Sequence, residues 1–270
     1  MTKHSDGPLL EVEDIHLAFA GRPILRGVTL KVERGQTMVI LGGSGCGKST
    51  LLRVLVGAIN PDRGTVRILG HDRSELSVPE LDRLRIRLGM MFQSGALFHS
   101  MTVGENIACV LREHTAMTEE EIAIMVQVKL EMVGLRHAVD LLPDEISGGM
   151  RKRAALARAL ALDPQVMLYD EPGAGLDPVT LAGVDRLIDT LGRVLNMASV
   201  VVTHEMASAM RIADQMVYLH EGRVVAAGTP EEIRAHPDPR LQQFLAGSAD
   251  GPLTAKGADD DFARSLIGAQ

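Results

Sequence analysis

The feature that most constrains the fold of this chain is a glycine-rich segment, Gly42-Gly43-Ser44-Gly45-Cys46-Gly47-Lys48-Ser49-Thr50. It follows the apolar run 38–41 and precedes residues 51–55, in which apolar side chains recur at helical spacing. The local order is therefore strand, glycine loop, helix. Glycines are needed because the backbone must turn sharply and bring successive N–H groups up to phosphate oxygens. The segment predicts a phosphate-binding loop at a helix N-terminus, where the helix dipole also favours an anion.

Two side chains of this segment are suited to a nucleotide and its metal ion. We expect the Lys48 ammonium to reach the β and γ phosphates and the Ser49 hydroxyl to ligate Mg²⁺. The alternative is a glycine-rich turn that binds nothing. It is disfavoured because the lysine, the hydroxyl residue and both flanking elements are all present.

Composition limits the classes of protein that remain. The chain has 270 residues and a net charge of −7, which allows one sizeable core with a smaller attached subdomain and argues against broad nucleic-acid binding. No apolar run approaches the roughly 18–20 residues that span a bilayer, and residues 1–8 lack the apolar stretch of a signal peptide. We therefore predict a cytosolic protein. Cys46 and Cys109 have neither the number nor the spacing of a disulfide framework or a zinc site.

Polar residues follow three apolar runs that predict buried strands. Asp170 and Glu171 end one run, Gln93 ends another, and His204 ends a third. Open α/β sheets bind their ligands at the carboxyl ends of the strands. We predict that Asp170 holds Mg²⁺, that Glu171 polarises the attacking water as general base, and that His204 meets the γ-phosphate. Solvated acids and a structural histidine are the less favoured alternatives.

Residues 94–160 have helical periodicity, which predicts a helical insertion in the α/β core. Near its end, Ser147-Gly148-Gly149 precedes a helix predicted over 151–162. Ser147 is suited to cap this helix, and the two glycines let an anion approach its N-terminus. The basic cluster Arg151-Lys152-Arg153 lies in the first turn, where cations oppose the macrodipole. We expect it to face an anion or acidic partner, or else to form a solvated basic face.

Phe19 is one of few aromatic residues in a chain that is 3% aromatic. It lies just before a predicted turn at residues 21–23. An exposed ring near a nucleotide loop would stack on adenine. Its position alone favours the alternative, a phenylalanine buried in the core.

These motifs occur in the order phosphate loop, Gln93, Ser147-Gly148-Gly149, Asp170-Glu171, Asp177 and His204. In this order and over nearly its whole length, the chain resembles the ATP-binding subunits of ABC transporters. The phosphate loop alone would indicate only one of the many kinds of nucleoside triphosphatase. The Ser-Gly-Gly signature ahead of the acidic strand is what narrows the resemblance to this family.

The resemblance implies roles for several residues. Phe19 would stack on adenine, Gln93 would serve catalysis and the metal as the Q-loop, Ala174 to Asp177 would form the D-loop, and His204 would be the switch histidine. It also implies ATP and Mg²⁺ as ligands. In the implied homodimer, Ser147 to Gly149 of one copy cap the ATP that the other copy holds.

The fold class that follows is α/β. We predict a P-loop NTPase (RecA-like) core with an antiparallel β subdomain and a helical insertion, the ABC ATPase architecture. Residues 1–93 and 161–230 would form the nucleotide-binding core, 94–160 the helical signalling subdomain with the signature, and 231–270 a C-terminal helix and tail.

Two departures from the common family pattern narrow the resemblance further. Met150 stands where the signature usually has Gln, and Gly173-Ala174-Gly175 stands where the D-loop often has Thr-Ser-Ala. Ser-Gly-Gly-Met followed by the basic cluster, together with residues 93–98 and 100–103, resembles the ATPases of Mla and MCE lipid-transport systems.

That resemblance implies partners and a location. They are a MlaE-like membrane permease, an MCE-domain (MlaD-like) protein and a small STAS-type (MlaB-like) regulator, on the cytoplasmic face of a bacterial inner membrane, with no nucleic acid. Leu97, Phe98 and Met101 would form a hydrophobic groove for a permease helix, or else pack in the core. Phe262, Leu266 and Ile267 would form a short amphipathic turn in the tail, which otherwise stays disordered.

Other functions remain open on the sequence alone. The ATPase of a small-solute importer shares every catalytic motif and differs mainly in its partner. A soluble ABC ATPase acting on DNA or translation usually carries two nucleotide domains or a long coiled coil, and this chain has one domain and no heptad run. A non-catalytic nucleotide sensor is disfavoured because Glu171 and His204 are both present.

Overall fold

The computed structural model describes residues 7–254, in which the chain forms two β-sheets and a set of helices. The strands are β1 (Leu10–Phe19), β2 (Arg22–Val32), β3 (Thr37–Leu41), β4 (Arg63–Ile68), β5 (His71–Asp72), β6 (Leu88–Met91), β7 (Val166–Asp170), β8 (Ala198–Val202), β9 (Gln215–His220) and β10 (Arg223–Gly228). The helices are α1 (Lys48–Leu55), α2 (Val78–Arg85), α3 (Val103–His114), α4 (Glu119–Met132), α5 (Gly148–Ala159), α6 (Pro178–Val194), α7 (Met206–Ile212), α8 (Pro230–Ala235) and α9 (Pro239–Ala246). The predicted amphipathic turn at Phe262, Leu266 and Ile267 lies outside the described residues.

The larger sheet has six strands in the order β10-β9-β3-β8-β7-β6. All its neighbouring strands run parallel except β9 and β10, which form an antiparallel hairpin. Both faces of the sheet are covered: Val39 and Tyr169 belong to one hydrophobic cluster, Ile40 and Leu168 to the other. Strands that are buried on both faces have nearly continuous apolar sequences, which is why β3, β7 and β8 are recognisable in the sequence.

The smaller sheet is antiparallel, with the order β2-β1-β4-β5. Its apolar face shares one cluster with α1 and with one face of the larger sheet, through side chains such as Val12, Ile15 and Leu52. This sheet also supports the glycine loop, because the space beside Gly47 is bounded by Ile24 and Leu25 of β2.

The other face of the larger sheet packs against the helical segment. Helices α3, α4 and α5 contribute Ile107, Leu130 and Leu156 to the cluster that contains Tyr169. Thr102 and Thr118 begin α3 and α4 with capping boxes, in which the threonine side chain and a glutamate three residues later each bond the other's backbone N–H. The predicted pattern of an α/β core, an antiparallel sheet and a helical insertion is therefore present.

Helix α5 begins three residues earlier than predicted, at Gly148 instead of Arg151. The reason is its cap, since the Ser147 hydroxyl accepts a hydrogen bond from the Met150 backbone N–H at 3.2 Å. A cap at Ser147 places the helix start directly after it. Over residues 7–254, no helix has the length and apolar character to cross a membrane.

Candidate active site

The glycine loop between β3 and α1 has one packed side and one open side. A Cβ at Gly42 would overlap the Leu219 carbonyl oxygen and the Cys46 Sγ, and one at Gly47 would come within 3.1 Å of the Ile24 carbonyl oxygen. Both glycines also have positive φ, 157° and 113°. In contrast, a Cβ at Gly43 or Gly45 would meet nothing within 4 Å. The outer glycines are thus required by packing, whereas the middle of the loop leaves a concave space for an anion.

The Cys46 side chain is turned into the protein, away from this space. It is buried, and burial raises the pKa of its thiol, so the side chain is a neutral packing group there. Its backbone N–H donates to the Gly43 carbonyl at 3.4 Å. Within the loop, Cys46 therefore contributes packing and backbone geometry.

Lys48 lies at the first position of α1 and folds back over the loop. Its Nζ donates to the carbonyl oxygens of Gly42 at 2.8 Å and Gly43 at 2.9 Å. The helix has no side-chain cap and no acidic residue in its first turn, so its first N–H groups are free to bind an anion. Positive charge and backbone donors are therefore concentrated on the same space.

Ser49 and Asp170 meet beside the loop, although 121 residues separate them in sequence. The Ser49 hydroxyl donates to Asp170 Oδ1 at 3.1 Å. Burial raises the pKa of Asp170, and the hydrogen bond from Ser49 opposes that shift. Two hard oxygen groups thus face each other at the carboxyl end of β7.

Glu171 and His204 form a second pair at the same edge. His204 Nδ1 lies 2.9 Å from Glu171 Oε1, and the His204 backbone N–H donates to Glu171 Oε2 at 3.4 Å. The Glu171 residue is only 9% exposed. Its φ is +47°, a left-handed conformation that is uncommon for a residue with a long side chain. The backbone therefore leaves the strand line at Glu171, and His204 holds the carboxylate in place.

Gln93 lies beside this pair because of strand register. Met91 of β6 pairs with Tyr169 of β7, and Gln93 and Glu171 each lie two residues beyond that pair. The Gln93 residue is exposed, and its carbonyl oxygen accepts a hydrogen bond from Lys152 Nζ. The ends of β6, β7 and β8 thus bring together the predicted residues Gln93, Asp170, Glu171 and His204.

Phe19 ends β1 and pairs with Arg22 across the β1–β2 turn. It is 46% exposed, so the alternative that placed it in the core is wrong. The same hairpin borders the glycine loop through Ile24. An exposed aromatic ring is therefore presented by the element that packs against the loop.

The Ser147-Gly148-Gly149 segment and Asp177 begin two helices that pack on each other. Asp177 caps α6 by accepting hydrogen bonds from the Val179 and Thr180 N–H groups, both at 3.0 Å. A Cβ on Gly149 would overlap Thr180 Cγ2, whereas one on Gly148 would have 3.7 Å to its nearest neighbour. Across residues 7–254, no hydrogen bond joins this segment to the glycine loop. Gly149 is thus required by helix packing, and Gly148 leaves open space.

The basic cluster Arg151-Lys152-Arg153 donates to backbone carbonyl oxygens. Arg151 donates to the carbonyl oxygens of Pro143 and Ile146, and Arg153 donates to that of Val133. Lys152 is buried and donates to Gln93. The three cations serve as donors to carbonyl oxygens of the helical segment and the β6 end. Arg151 is also exposed, whereas Lys152 is buried and belongs to no solvated face. The expected anion or acidic partner stays a prediction.

The sequence-based predictions do not anticipate that two polar residues beside the site are buried. Lys152 is one, and its signal in the sequence is a cation in a helical first turn. Asn106 is the other: its side chain bonds Phe98 N at 2.8 Å and the carbonyl oxygens of Phe98, Met101 and Thr102 at 2.9–3.1 Å. Nothing in the sequence distinguishes this asparagine from a solvated one.

Comparison with known proteins identifies the family of this chain. A family model described as ABC transporter matches residues 25–174, slightly more than half of the chain. The intermembrane phospholipid transport system ATP-binding protein MlaF of Haemophilus influenzae is 42% identical over 259 residues, 96% of this chain and 98% of that protein. The probable ribonucleotide transport ATP-binding protein mkl of Mycobacterium leprae is also 42% identical, over 92% of this chain and 71% of that protein.

A solved structure gives the same result for the fold. It is a dimeric ATP-binding cassette in a post-hydrolysis state bound to ADP and Pi, with 29% sequence identity and a TM-score of 0.74. The match covers 82% of this chain and 98% of that chain. The predicted fold class is confirmed.

Proposed function

The chain belongs to the ABC transporter ATP-binding family, and from this premise we propose that it is the ATP-hydrolysing subunit of a system that moves phospholipids between membranes. Membership of this family means that the chain binds nucleotide and is an ATPase. The observation that carries the phospholipid proposal is the 42% identity to MlaF, which extends over 96% of this chain and 98% of the relative. A match across both whole chains includes the segments outside the shared catalytic motifs.

ATP would bind with its phosphates in the concave middle of the glycine loop. The Gly43 and Gly45 positions leave that space open, and the α1 N-terminus and Lys48 supply donors and positive charge. When phosphates enter, Lys48 exchanges its carbonyl partners on the loop for phosphate oxygens. Phe19, exposed on the adjoining hairpin, would stack on the adenine.

Ser49 and Asp170 fit a Mg²⁺ ion, with Gln93 as a further oxygen donor. Mg²⁺ is usually held by one or two protein oxygens together with substrate phosphates, and the Ser49 hydroxyl and Asp170 carboxylate already lie 3.1 Å apart. The ion would neutralise charge on the β and γ phosphates. Burial raises the pKa of Asp170. A cation bound there would oppose this rise, because it favours the ionised carboxylate.

Glu171 would act as the general base of hydrolysis. Its carboxylate would take a proton from the water that attacks the γ-phosphorus. The bond from the γ-phosphorus to the β–γ bridging oxygen then breaks, and ADP and phosphate leave. His204 holds Glu171 Oε1 through Nδ1 at 2.9 Å, which fixes the direction of the carboxylate. Its other ring nitrogen can then contact the γ-phosphate.

Ser147, Gly148 and Gly149 would complete the nucleotide site of a second copy. They lie at a helix N-terminus, with open space at Gly148 and no hydrogen bond to the loop of their own chain across residues 7–254. A γ-phosphate bridging two copies holds them together, and its release on hydrolysis lets them separate. The solved cassette dimer bound to ADP and Pi supports this arrangement.

A permease would dock on the helical segment near Phe98. A cleft of about 870 Å³ is lined by side chains that include Leu88, Met90, Phe98, Val110 and Arg158. The Phe98 ring is 52% exposed, whereas Leu97 is buried in the core. Of the predicted groove residues, Phe98 lines the cleft and Leu97 packs in the core. Met101 is half-buried and does not line the cleft.

The finer assignments follow the MlaF relationship. We place the subunit on the cytoplasmic face of a bacterial inner membrane, held there by a MlaE-like permease and accompanied by an MCE-domain (MlaD-like) protein and a small STAS-type (MlaB-like) regulator. An importer of small solutes is the second candidate, favoured by the identity to the probable ribonucleotide transport protein. Its shorter coverage, 71% of that relative, makes it the weaker one.

Co-purification tests the proposal. The tagged full chain is extracted with detergent from its own cells, and the proteins that remain bound are identified by mass spectrometry. A permease accompanied by an MCE-domain protein and co-extracted phospholipid is the expected result. A solute permease without any MCE-domain protein would overturn the phospholipid assignment and leave the ATPase assignment intact.

A further inference from the structure

Lys152 is a buried cation in an unfavourable position. It is 8% exposed and lies in the first turn of α5, where the helix dipole already concentrates positive charge. Burial lowers the pKa of Lys152, because desolvation disfavours the charged form. A structural lysine would normally be paired, as Lys129 is paired with Asp163 at 2.5 Å. Lys152 has no such salt bridge within residues 7–254.

The contacts of Lys152 lie at the catalytic edge of the sheet. Its Nζ donates to the carbonyl oxygen of Gln93, at the end of β6. Strand β6 pairs with β7, and Met91 pairs with Tyr169. Gln93 and Glu171 each follow that pair by two residues, just past the strand ends. Lys152 therefore connects a helix of the helical segment to the end of β6, beside the strand that precedes Glu171.

We propose that Lys152 is a positioning residue for ATP hydrolysis: its buried ammonium donates to the Gln93 carbonyl oxygen and so fixes the end of β6 beside the end of β7, which carries Glu171. This inference rests on the proposed role of Glu171 as general base. Lys152 itself touches neither the glycine loop nor its open space, so it acts on turnover and leaves nucleotide affinity alone.

The test compares three variants of the full chain. Lys152→Met keeps the length of the side chain and removes both charge and donor; Lys152→Arg keeps both. Arg153→Met is the matched control, because the neighbouring Arg153 donates to Val133 on the other side of α5. Steady-state kcat and KM, equilibrium ATP affinity and the thermal unfolding midpoint are measured for each.

We expect kcat of Lys152→Met to fall at least about tenfold while ATP affinity stays within about twofold, and Lys152→Arg to recover most of the loss. Arg153→Met should keep its kcat within about twofold of the unchanged protein. A Lys152→Met protein with normal kcat overturns the proposal. So does a loss of ATP affinity as large as the loss of kcat, or an Arg variant as defective as the Met variant.

Two further variants keep the test decisive. If Lys152→Met does not fold, Lys152→Ser, whose side chain is too short to reach the Gln93 carbonyl oxygen, replaces it, and a normal kcat in that variant overturns the proposal. Glu171→Gln is assayed alongside. Full turnover by Glu171→Gln removes the premise and with it the proposed base, whereas an inactive Glu171→Gln together with a fully active Lys152→Met overturns the Lys152 inference alone.

Discussion

Glu171 shows at the scale of one residue how local strain serves the site. Its left-handed φ of +47° costs free energy on the order of 1–3 kcal/mol, which the surrounding structure must supply. The backbone is held on both sides, by the Glu171 N–H donating to Val202 at 2.9 Å and by the Ala174 N–H donating to Glu171 at 3.1 Å. The turn takes the side chain out of the strand pattern and brings it to His204. The Glu171 carboxylate thus meets His204, whereas that of Asp170 meets Ser49.

Replacing Glu171 by Gln tests the base at this scale. The amide keeps the shape and the contact with His204 but cannot accept the proton of water, so turnover should fall at least about 100-fold. ATP affinity should be unchanged. Phosphate release and nucleotide binding are measured on the same preparation. Normal turnover would remove Glu171 from the role of base.

Replacing Lys48 by Ala tests the phosphate loop. The change removes a side-chain cation that lies over the loop, so ATP affinity should fall at least about tenfold, or about 1.4 kcal/mol. Lys31→Ala is the control, since Lys31 pairs with Glu11 on the antiparallel sheet. Unchanged ATP affinity in Lys48→Ala would contradict the assignment of the loop.

At the scale of elements, packing explains the glycine at position 173, where the family often has Thr. A Cβ at Gly173 would overlap Leu181 Cδ1, and Leu181 is buried where α6 meets the core. Leu181 of α6 fills the space that a threonine side chain at position 173 would need. The departure from the family pattern is therefore a packing exchange between the loop and the helix that follows it.

The same substitution at two glycines tests this packing. Gly173→Ala forces Leu181 to move and should lower the free energy of unfolding by about 1–3 kcal/mol. Gly183→Ala, on α6 with nothing within 4 Å of its Cβ position, should raise it by about 0.5–1 kcal/mol, because alanine favours helix. Urea unfolding of both variants measures the difference. Equal effects would show that Leu181 does not restrict position 173.

The loop before α3 supports a second comparison between neighbours. Asn106 satisfies four backbone groups there and so fixes a loop in which Leu97 points to the core and Phe98 to the cleft. Leu97→Ser should destabilise the isolated subunit by about 2–4 kcal/mol. Phe98→Ser should change its stability by less than about 1 kcal/mol and abolish capture of the permease.

Val128→Ser is the control for that experiment. Val128 is 47% exposed on α4 and does not line the cleft, so its replacement should leave permease capture unchanged. Pull-down from detergent extract and thermal unfolding are the two measurements. Capture by Phe98→Ser at the level of the unchanged protein would exclude this cleft as the docking site.

The elements also show what a sequence can predict. The strands β3, β7 and β8 and the capped helices follow from local patterns, because burial on both faces and cap residues leave direct signals. The edge that gathers Gln93, Asp170, Glu171 and His204 follows from the rule for strand ends. The left-handed turn at Glu171, the overlap at Gly173 and the burial of Lys152 do not follow, because each depends on a neighbour distant in sequence.

At the scale of the whole molecule, the site is divided between two regions. The loop, Ser49, Asp170, Glu171 and His204 lie together, whereas Ser147 caps α5 in the helical segment and has no hydrogen bond to the loop across residues 7–254. In the proposed dimer, each copy supplies a nucleotide-holding surface and a helix N-terminus with open space. Two copies in opposite orientation would then complete two nucleotide sites at once, which is the isologous arrangement of a twofold dimer.

Ser147→Tyr tests this division in a Glu171→Gln background, in which ATP is held without turnover. A tyrosine at the exposed Ser147 would occupy the space where the second copy's γ-phosphate must approach, so the variant should bind ATP and remain a monomer. Loss of the cap on Met150 would also cost about 1 kcal/mol of stability.

Thr118→Tyr is the matched control, because it removes the cap of α4 and adds the same bulk away from the site. Light scattering with ATP should give twice the mass of one chain for Thr118→Tyr and a single-chain mass for Ser147→Tyr. A Ser147→Tyr protein that dimerises with ATP, or that hydrolyses ATP at full rate in the unchanged Glu171 background, would mean that one copy holds a complete site and that the signature segment serves only to cap its own helix.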